Sequence, residues 1–242
     1  MNAKKNSMDF ERIFIGSDTH AHARVRKLLD FCADTHPPLS RRDLVILCGD
    51  SELLNEEWNG EILALYKTLP CMFALIDGNH DRYDLALAHP AETWHGGAVR
   101  RIAENAVWLE RGEVFAINGL AFFALGGAMM EGYRPVMGAD GRPLWPVEIP
   151  MEKERAHALA TLARVNWRVD IVLTHDGPEG VIPARPVDPL RPFLKDIAGR
   201  LRFRKWYFGH HHKDFSQGRY QCVFASILPL EELNQGDHTE TP

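Results

Sequence analysis

Five short stretches constrain this chain more than any others: "RIFIGSDTH", "DLVILCGD", "MFALIDGNHD", "VDIVLTHD" and "KWYFGHHH". Each is an apolar run with β-branched or aromatic residues that breaks abruptly into Gly, Asp, Asn or His. Runs of this length bounded by turn residues fit strands buried on both faces, as in the central sheets of α/β proteins. Helical patterns lie between several of them. Val25, Leu28, Leu29 and Cys32 recur at i, i+3, i+4 and i+7, and Trp58, Ile62, Leu65 and Leu69 follow Asn55, a candidate N-cap with Glu56 and Glu57 in the first turn. Leu190, Phe193, Leu194, Ile197 and Leu201 form a third stripe, and a fourth helix is predicted after Pro150 through "MEKERAHALATLARV". This alternation of strand and helix predicts an α/β sheet.

From about Ala98 to Leu125 the texture changes to short strands, and Asn118-Gly119 between two apolar runs signals a hairpin, so this half is expected to be antiparallel. Residues 126–150 are rich in Gly and Pro, and a loop of that length inside a compact domain is more often functional than idle. The polar tail after Pro229 is expected to fray. No repeat or linker divides the chain. The expectation is one domain over residues 1–228 with a substrate-loop insertion at about 126–150, followed by a flexible tail over 229–242.

With 242 residues, 45% of them hydrophobic, the chain can build a sizeable core. A net charge of −5 gives no basic footprint of the kind that drives non-specific nucleic-acid binding; "RVRK" (Arg24 to Lys27) and "RFRK" (Arg202 to Lys205) read as solvated faces. No apolar run approaches the ~20 residues that span a bilayer, and the N-terminus lacks the apolar stretch of a signal peptide, so the expected location is cytoplasmic, without a membrane partner. Cys32, Cys48, Cys71 and Cys222 lack CxxC spacing and sit among apolar residues, as reduced core cysteines do; neither a disulfide nor a thiolate metal site is expected.

The chemistry is concentrated where the five runs end, because in open α/β sheets ligands bind beyond the carboxyl ends of the strands. Those ends carry Asp18 and His20, Asp50, Asn79 and His80, His175, and the run His210 to His212. In extended backbone successive side chains face opposite ways, so His210 and His212 can share a site while His211 faces away. Imidazoles, carboxylates and one amide oxygen suit divalent Mn, Fe, Zn, Co or Ni. The candidates are too many for one four-coordinate ion, and two ions roughly 3.5 to 4 Å apart can clamp the attacking and leaving oxygens of an in-line displacement at phosphorus.

Taken in order, DxH, GD, GNHD, a strand ending in TH, and GHxH resemble the calcineurin-like metallophosphoesterase superfamily over residues 13 to 212. The resemblance implies a four-layer α/β/β/α sandwich of two mixed β-sheets with the metal centre at the carboxyl ends of the strands. It implies that Asp18, His20 and His212 hold one metal, that Asn79, His175 and His210 hold the second, and that Asp50 bridges them, with Mn the favoured ion. His80 then sits over the substrate and aids departure of the leaving group, oriented by Asp81; Asn79 also meets the substrate. Asp176 is either a carboxylate that orients a ligand imidazole or a cap for the next turn. In the long loop, Arg134 is a candidate to fork onto a phosphate oxygen and Trp145 to pack on the organic part of a substrate.

The implied reaction is hydrolysis of a phosphoester, mono- or diester, by a metal-bridging hydroxide. Protein phosphatases of the superfamily carry GDxxDRG; "GDSELLNEEW" has no arginine there, which disfavours that subgroup. The expected partner is a small or accessible phosphoester, and the acidic balance disfavours nucleic acid. Alternatives are a nuclease of the same superfamily or a catalytically silent scaffold, the latter disfavoured because all seven ligand positions and His80 are filled.

Overall fold

The computed structural model describes residues 9–54, 60–129, 148–184 and 188–230. All five apolar runs are strands: β1 (Arg12–Gly16), β2 (Asp43–Cys48), β3 (Met72–Ile76), β9 (Ile171–Thr174) and β10 (Lys205–Phe208). Between them run α1 (Val25–Asp34), α2 (Glu61–Thr68), α3 (Tyr83–Leu87), α4 (Glu152–Arg164) and α5 (Leu190–Arg200). The remaining strands are β4 (Ala91–Trp94), β5 (Gly97–Ala103), β6 (Ala106–Leu109), β7 (Glu113–Ile117), β8 (Leu120–Leu125), β11 (Phe215–Gln217), β12 (Tyr220–Cys222) and β13 (Leu228–Pro229). They form a seven-stranded sheet in the order β13-β1-β2-β3-β6-β5-β4 and a six-stranded sheet in the order β11-β12-β10-β9-β8-β7.

Strand alternation builds the layers. Ile13 and Ile15, then Leu44, Ile46 and Cys48, then Ala74 and Ile76 pack between the sheets against Ile171, Leu173 and Tyr207. Their alternate neighbours Phe14, Val45, Leu47, Phe73 and Leu75 face outward onto Leu28, Ile62 and Tyr66 of α1 and α2. In the second sheet Val172, Trp206 and Phe208 face Leu162 of α4 and Leu194 and Ile197 of α5. Both faces of each central strand are therefore apolar, which is why these runs lack polar alternation. The result is the expected α/β/β/α sandwich.

The antiparallel expectation holds only locally. β5 pairs antiparallel with β4 and β6, and β7 with β8, but β6 runs parallel to β3 and β8 parallel to β9, so each sheet is mixed. The hairpin between β7 and β8 has Ile117 opposite Leu120, with Asn118 at φ 50° and Gly119 at φ 76°, the two positive angles that a type I′ turn needs. Asn118 also exchanges two 2.8 Å hydrogen bonds with the backbone of Phe10, tying the turn to the entry of β1. Helix α2 starts at Glu61, behind Gly60 at φ 75°; the expected cap Asn55, with Glu56, Glu57 and Trp58, lies outside the described residues. Helix α4 opens with the Glu154 carboxylate accepting from the Met151 N–H at 2.7 Å.

A buried ion pair joins the sheets beside the site. Arg111, in the turn between β6 and β7, donates through Nε to Asp77 Oδ2 at 3.0 Å and through Nη1 to Glu154 of α4 at 3.1 Å, while its guanidinium lies 4.1 Å from the Tyr83 ring centre. Burial pushes the Asp77 carboxyl upward even with Arg111 beside it, so the pair depends on both partners. Arg111→Ala should lower the free energy of unfolding in urea by about 3–5 kcal/mol, the cost of stranding a buried charge; a loss under about 1 kcal/mol would mean that the pair contributes little.

Candidate metal centre

The strands β1, β2 and β3 lie side by side in parallel, as do β9 and β10, so their carboxyl ends deliver five loops to one edge of the sandwich. The first two loops are stitched together: Asp18 N–H donates to Gly49 O at 3.0 Å, His20 N–H to Asp50 O at 2.9 Å, and Ser17 Oγ to Cys48 O at 2.7 Å. The fifth joins the fourth through Gly209 N–H to His175 O at 2.9 Å and the first through His210 N–H to Asp18 Oδ2 at 3.2 Å.

One set of candidate ligands is closely gathered. One ligand atom each from Asp18, His20, Asp50 and His212 lie within 4.8 Å of one another. His20 Nε2 is 3.0 Å from His212 Nε2 and 3.6 Å from Asp50 Oδ2, and Asp18 Oδ1 is 3.3 Å from His212 Nε2. Asp50 reaches the other way too: Oδ2 is 3.2 Å from His175 Nε2, and Oδ1 accepts the His80 N–H at 2.9 Å. On that side His175 and His210 have ring centres 5.2 Å apart. Asp50 thus stands between the two groups.

The donor atoms fit divalent ions. Asp18 Oδ1, Asn79 Oδ1 and His175 Nε2 are buried atoms without a hydrogen-bond partner, a costly condition that a cation relieves. His175 Nδ1 is committed to Cys48 O at 2.6 Å, which turns the Nε2 lone pair inward. The electrostatics also call for positive charge. Burial disfavours charge on Asp50, yet His175 above all its neighbours holds that carboxyl well below the usual range. Burial opposes charge on His175 and His20 as well, but Asp50 pulls the first up to about 10, and Asp18 with Glu52 pulls the second up to about 9. His210 is pushed down to about 3 by burial and by the charge on His175.

Backbone strain concentrates here. Asp18, His20, Asp50, His210 and His212 all sit at φ between 35° and 67°, a region that non-glycine residues enter at a cost of order 1–3 kcal/mol each. Gly78 and Gly209 leave room for them: a Cβ on Gly78 would press on Asp50 Oδ1 and lie 2.7 Å from His175 Nε2, and one on Gly209 would meet Ser17 Oγ and Asp18 Oδ2.

Three side chains differ from expectation. The Asp81 carboxylate does not orient His80; it accepts from Gly78 N–H at 2.9 Å, Glu52 N–H at 2.7 Å and Ser51 Oγ at 3.0 Å. The acid that faces the His80 imidazole is Glu52, with Oε1 4.0 Å from His80 Nδ1 and 2.9 Å from His20 Nδ1. No motif spacing marks Glu52 in the sequence. His211 is engaged by an acid: Nε2 is 2.7 Å from Asp176 Oδ1, whose other oxygen accepts from Arg191 Nε at 2.7 Å. Asp176 therefore orients the middle histidine. Lys27, expected on a solvated face, donates to Ser17 O at 2.5 Å and to Phe224 O, and burial pushes it down to about 8. Arg24 lies over the Phe224 ring, which stacks on His212 at 4.9 Å. Arg134 and Trp145 lie outside the described residues.

The family model described as calcineurin-like phosphoesterase matches residues 11–214. Among solved structures the chain is similar to a protein of unknown function, AQ665, from Aquifex aeolicus, with 14% identity over 90% of this chain and 95% of that one and a TM-score of 0.40. No curated protein matches it.

Because His211 is spent on Asp176, His211→Ala should keep the metal content of the parent protein. It should lose about 1.5–3 kcal/mol of stability, the worth of a hydrogen bond to a charged group. Elemental analysis and thermal melts of the purified variant check both parts, and loss of metal would place His211 among the ligands.

Proposed function

Since the chain belongs to the calcineurin-like phosphoesterase family, we propose that it hydrolyses a phosphoester at a centre of two divalent ions. Asp18, His20 and His212 would hold one, Asn79, His175 and His210 the other, and Asp50 both. The observation that carries this reading is the convergence of Asp18, His20, His175 and His212 on the buried Asp50 carboxylate, beside buried Asp18 Oδ1 and Asn79 Oδ1 atoms that lack a hydrogen-bond partner. When bound, such ions supply an acidified water as nucleophile and positive charge for the phosphoryl oxygens. Donors limited to imidazole, carboxylate and amide, with no thiolate in the set, suit Mn, Fe, Zn, Co or Ni, and Mn is the ion that the family resemblance favours.

The chain's own residues do the rest. Asp50 Oδ1 anchors the His80 backbone N–H, which keeps the imidazole at the mouth of the site, its ring centre 5.1 Å from that of His20 and its side chain 45% exposed. From there His80 delivers a proton to the departing alcohol oxygen. The Asn79 amide, next to it in the same turn, contacts a nonbridging oxygen of the substrate. The absence of arginine from "GDSELLNEEW" and the net charge of −5 support a small or accessible phosphoester over a phosphoprotein or duplex nucleic acid. Four free cysteines suit a reducing compartment, which supports a cytoplasmic location. Among the described residues no helix is long and apolar enough to cross a membrane.

Two experiments test the reading. The purified protein should carry or take up two Mn per chain and hydrolyse chromogenic phosphomonoesters or phosphodiesters, with Asp50→Asn abolishing turnover; a protein that binds no supplied metal would refute it. For His80→Ala, kcat should fall by about 10²–10⁴ while the metal content persists, and loss of both metals would reassign His80 as a ligand.

A further inference from the structure

Glu52 touches a gathered ligand, and the proposed mechanism leaves it without a role. Its Oε1 lies 2.9 Å from His20 Nδ1 and 4.0 Å from His80 Nδ1, and its side chain is only 14% exposed. The backbone is specially held to put it there: Glu52 sits at φ 52°, and its N–H donates to Asp81 Oδ1 at 2.7 Å. Asp81 also binds Gly78 N–H and Ser51 Oγ, so one buried carboxylate ties the turn after β2 to the turn after β3.

We propose that Glu52 is a positioning residue that serves both imidazoles, locking His20 with its proton on Nδ1 and Nε2 free for an ion, and facing His80 across the mouth of the site. The chemistry is that of a carboxylate behind a metal-bound histidine, which settles the tautomer, fixes the ring plane and raises the basicity of the ligating nitrogen. Asp81 then acts on the imidazoles at one remove, by holding the strained Glu52 backbone that aims the side chain. The geometry also accounts for the use of a longer acid at this place: Glu reaches across from the turn after β2 to imidazoles on two other loops.

This rests on the two-ion reading above, and the test separates the two. Metal-free wild type, Glu52→Ala and Glu52→Gln are each titrated with Mn by calorimetry, followed by steady-state kinetics and melts of the metal-free proteins. Wild type should show two sites. Glu52→Ala should weaken one of them 10–100-fold and leave the other in place, with kcat lowered, KM little changed and the metal-free melt unaltered. Glu52→Gln, which keeps an acceptor oxygen, should recover most of the affinity. Two sites of wild-type affinity in Glu52→Ala, or equal weakening of both with a lowered metal-free melt in both variants, would overturn the role of Glu52 alone. A wild type without Mn sites would overturn the two-ion reading as well.

Discussion

The carboxylate of Asp50 is the interaction on which the rest of the site depends. It is buried, and a buried charge survives only where opposite charge and hydrogen bonds surround it. Here the surroundings come from three other loops: His80 N–H on Oδ1, His175 and His20 within 3.6 Å of Oδ2, and the His20 N–H on its own backbone carbonyl. Every loop that meets Asp50 is thereby set relative to the others. The positive φ of Asp18, His20, Asp50, Glu52, His210 and His212 is the local cost of bringing them there.

The scaffold can carry that strain because it is rigid on both sides of the loops. Inward and outward residues of β1, β2 and β3 are locked into separate cores, one between the sheets and one under the helices, so a slip of one residue would exchange the two sets. Arg111, Asp77 and Glu154 add a charged brace from the base of the GNHD turn to α4. Asp77 in turn accepts the Gly127 N–H through its carbonyl at 2.7 Å, which ties the end of β8 to the same turn.

Much of this was legible residue by residue. Continuous apolar runs with abrupt polar ends identified the buried strands, because strands covered on both faces have no polar alternation to show. Stripes at helical spacing located α1, α2 and α5, and Asn118-Gly119 located the β7–β8 turn, since few other residue pairs tolerate two positive φ angles. What escaped were side-chain directions set by neighbours distant in sequence. Asp81 follows His80 directly, yet its carboxylate turns to the backbone of Gly78 and Glu52, where unpaired N–H groups of two tight turns needed an acceptor. Lys27 looked solvated, but the carbonyls of Ser17 and Phe224 drew it inward.

The sequence by itself determined the family, the strand ends at which chemistry is placed, and the donor types available there, because burial patterning and residue chemistry are local properties that survive without coordinates. Only the tertiary structure decided which acid serves which imidazole. Glu52 with His20 and Asp176 with His211 are separated by 32 and 35 residues, and a hydrogen bond of 2.7 to 2.9 Å depends on loop register to a fraction of an ångström, which no spacing in a linear chain encodes.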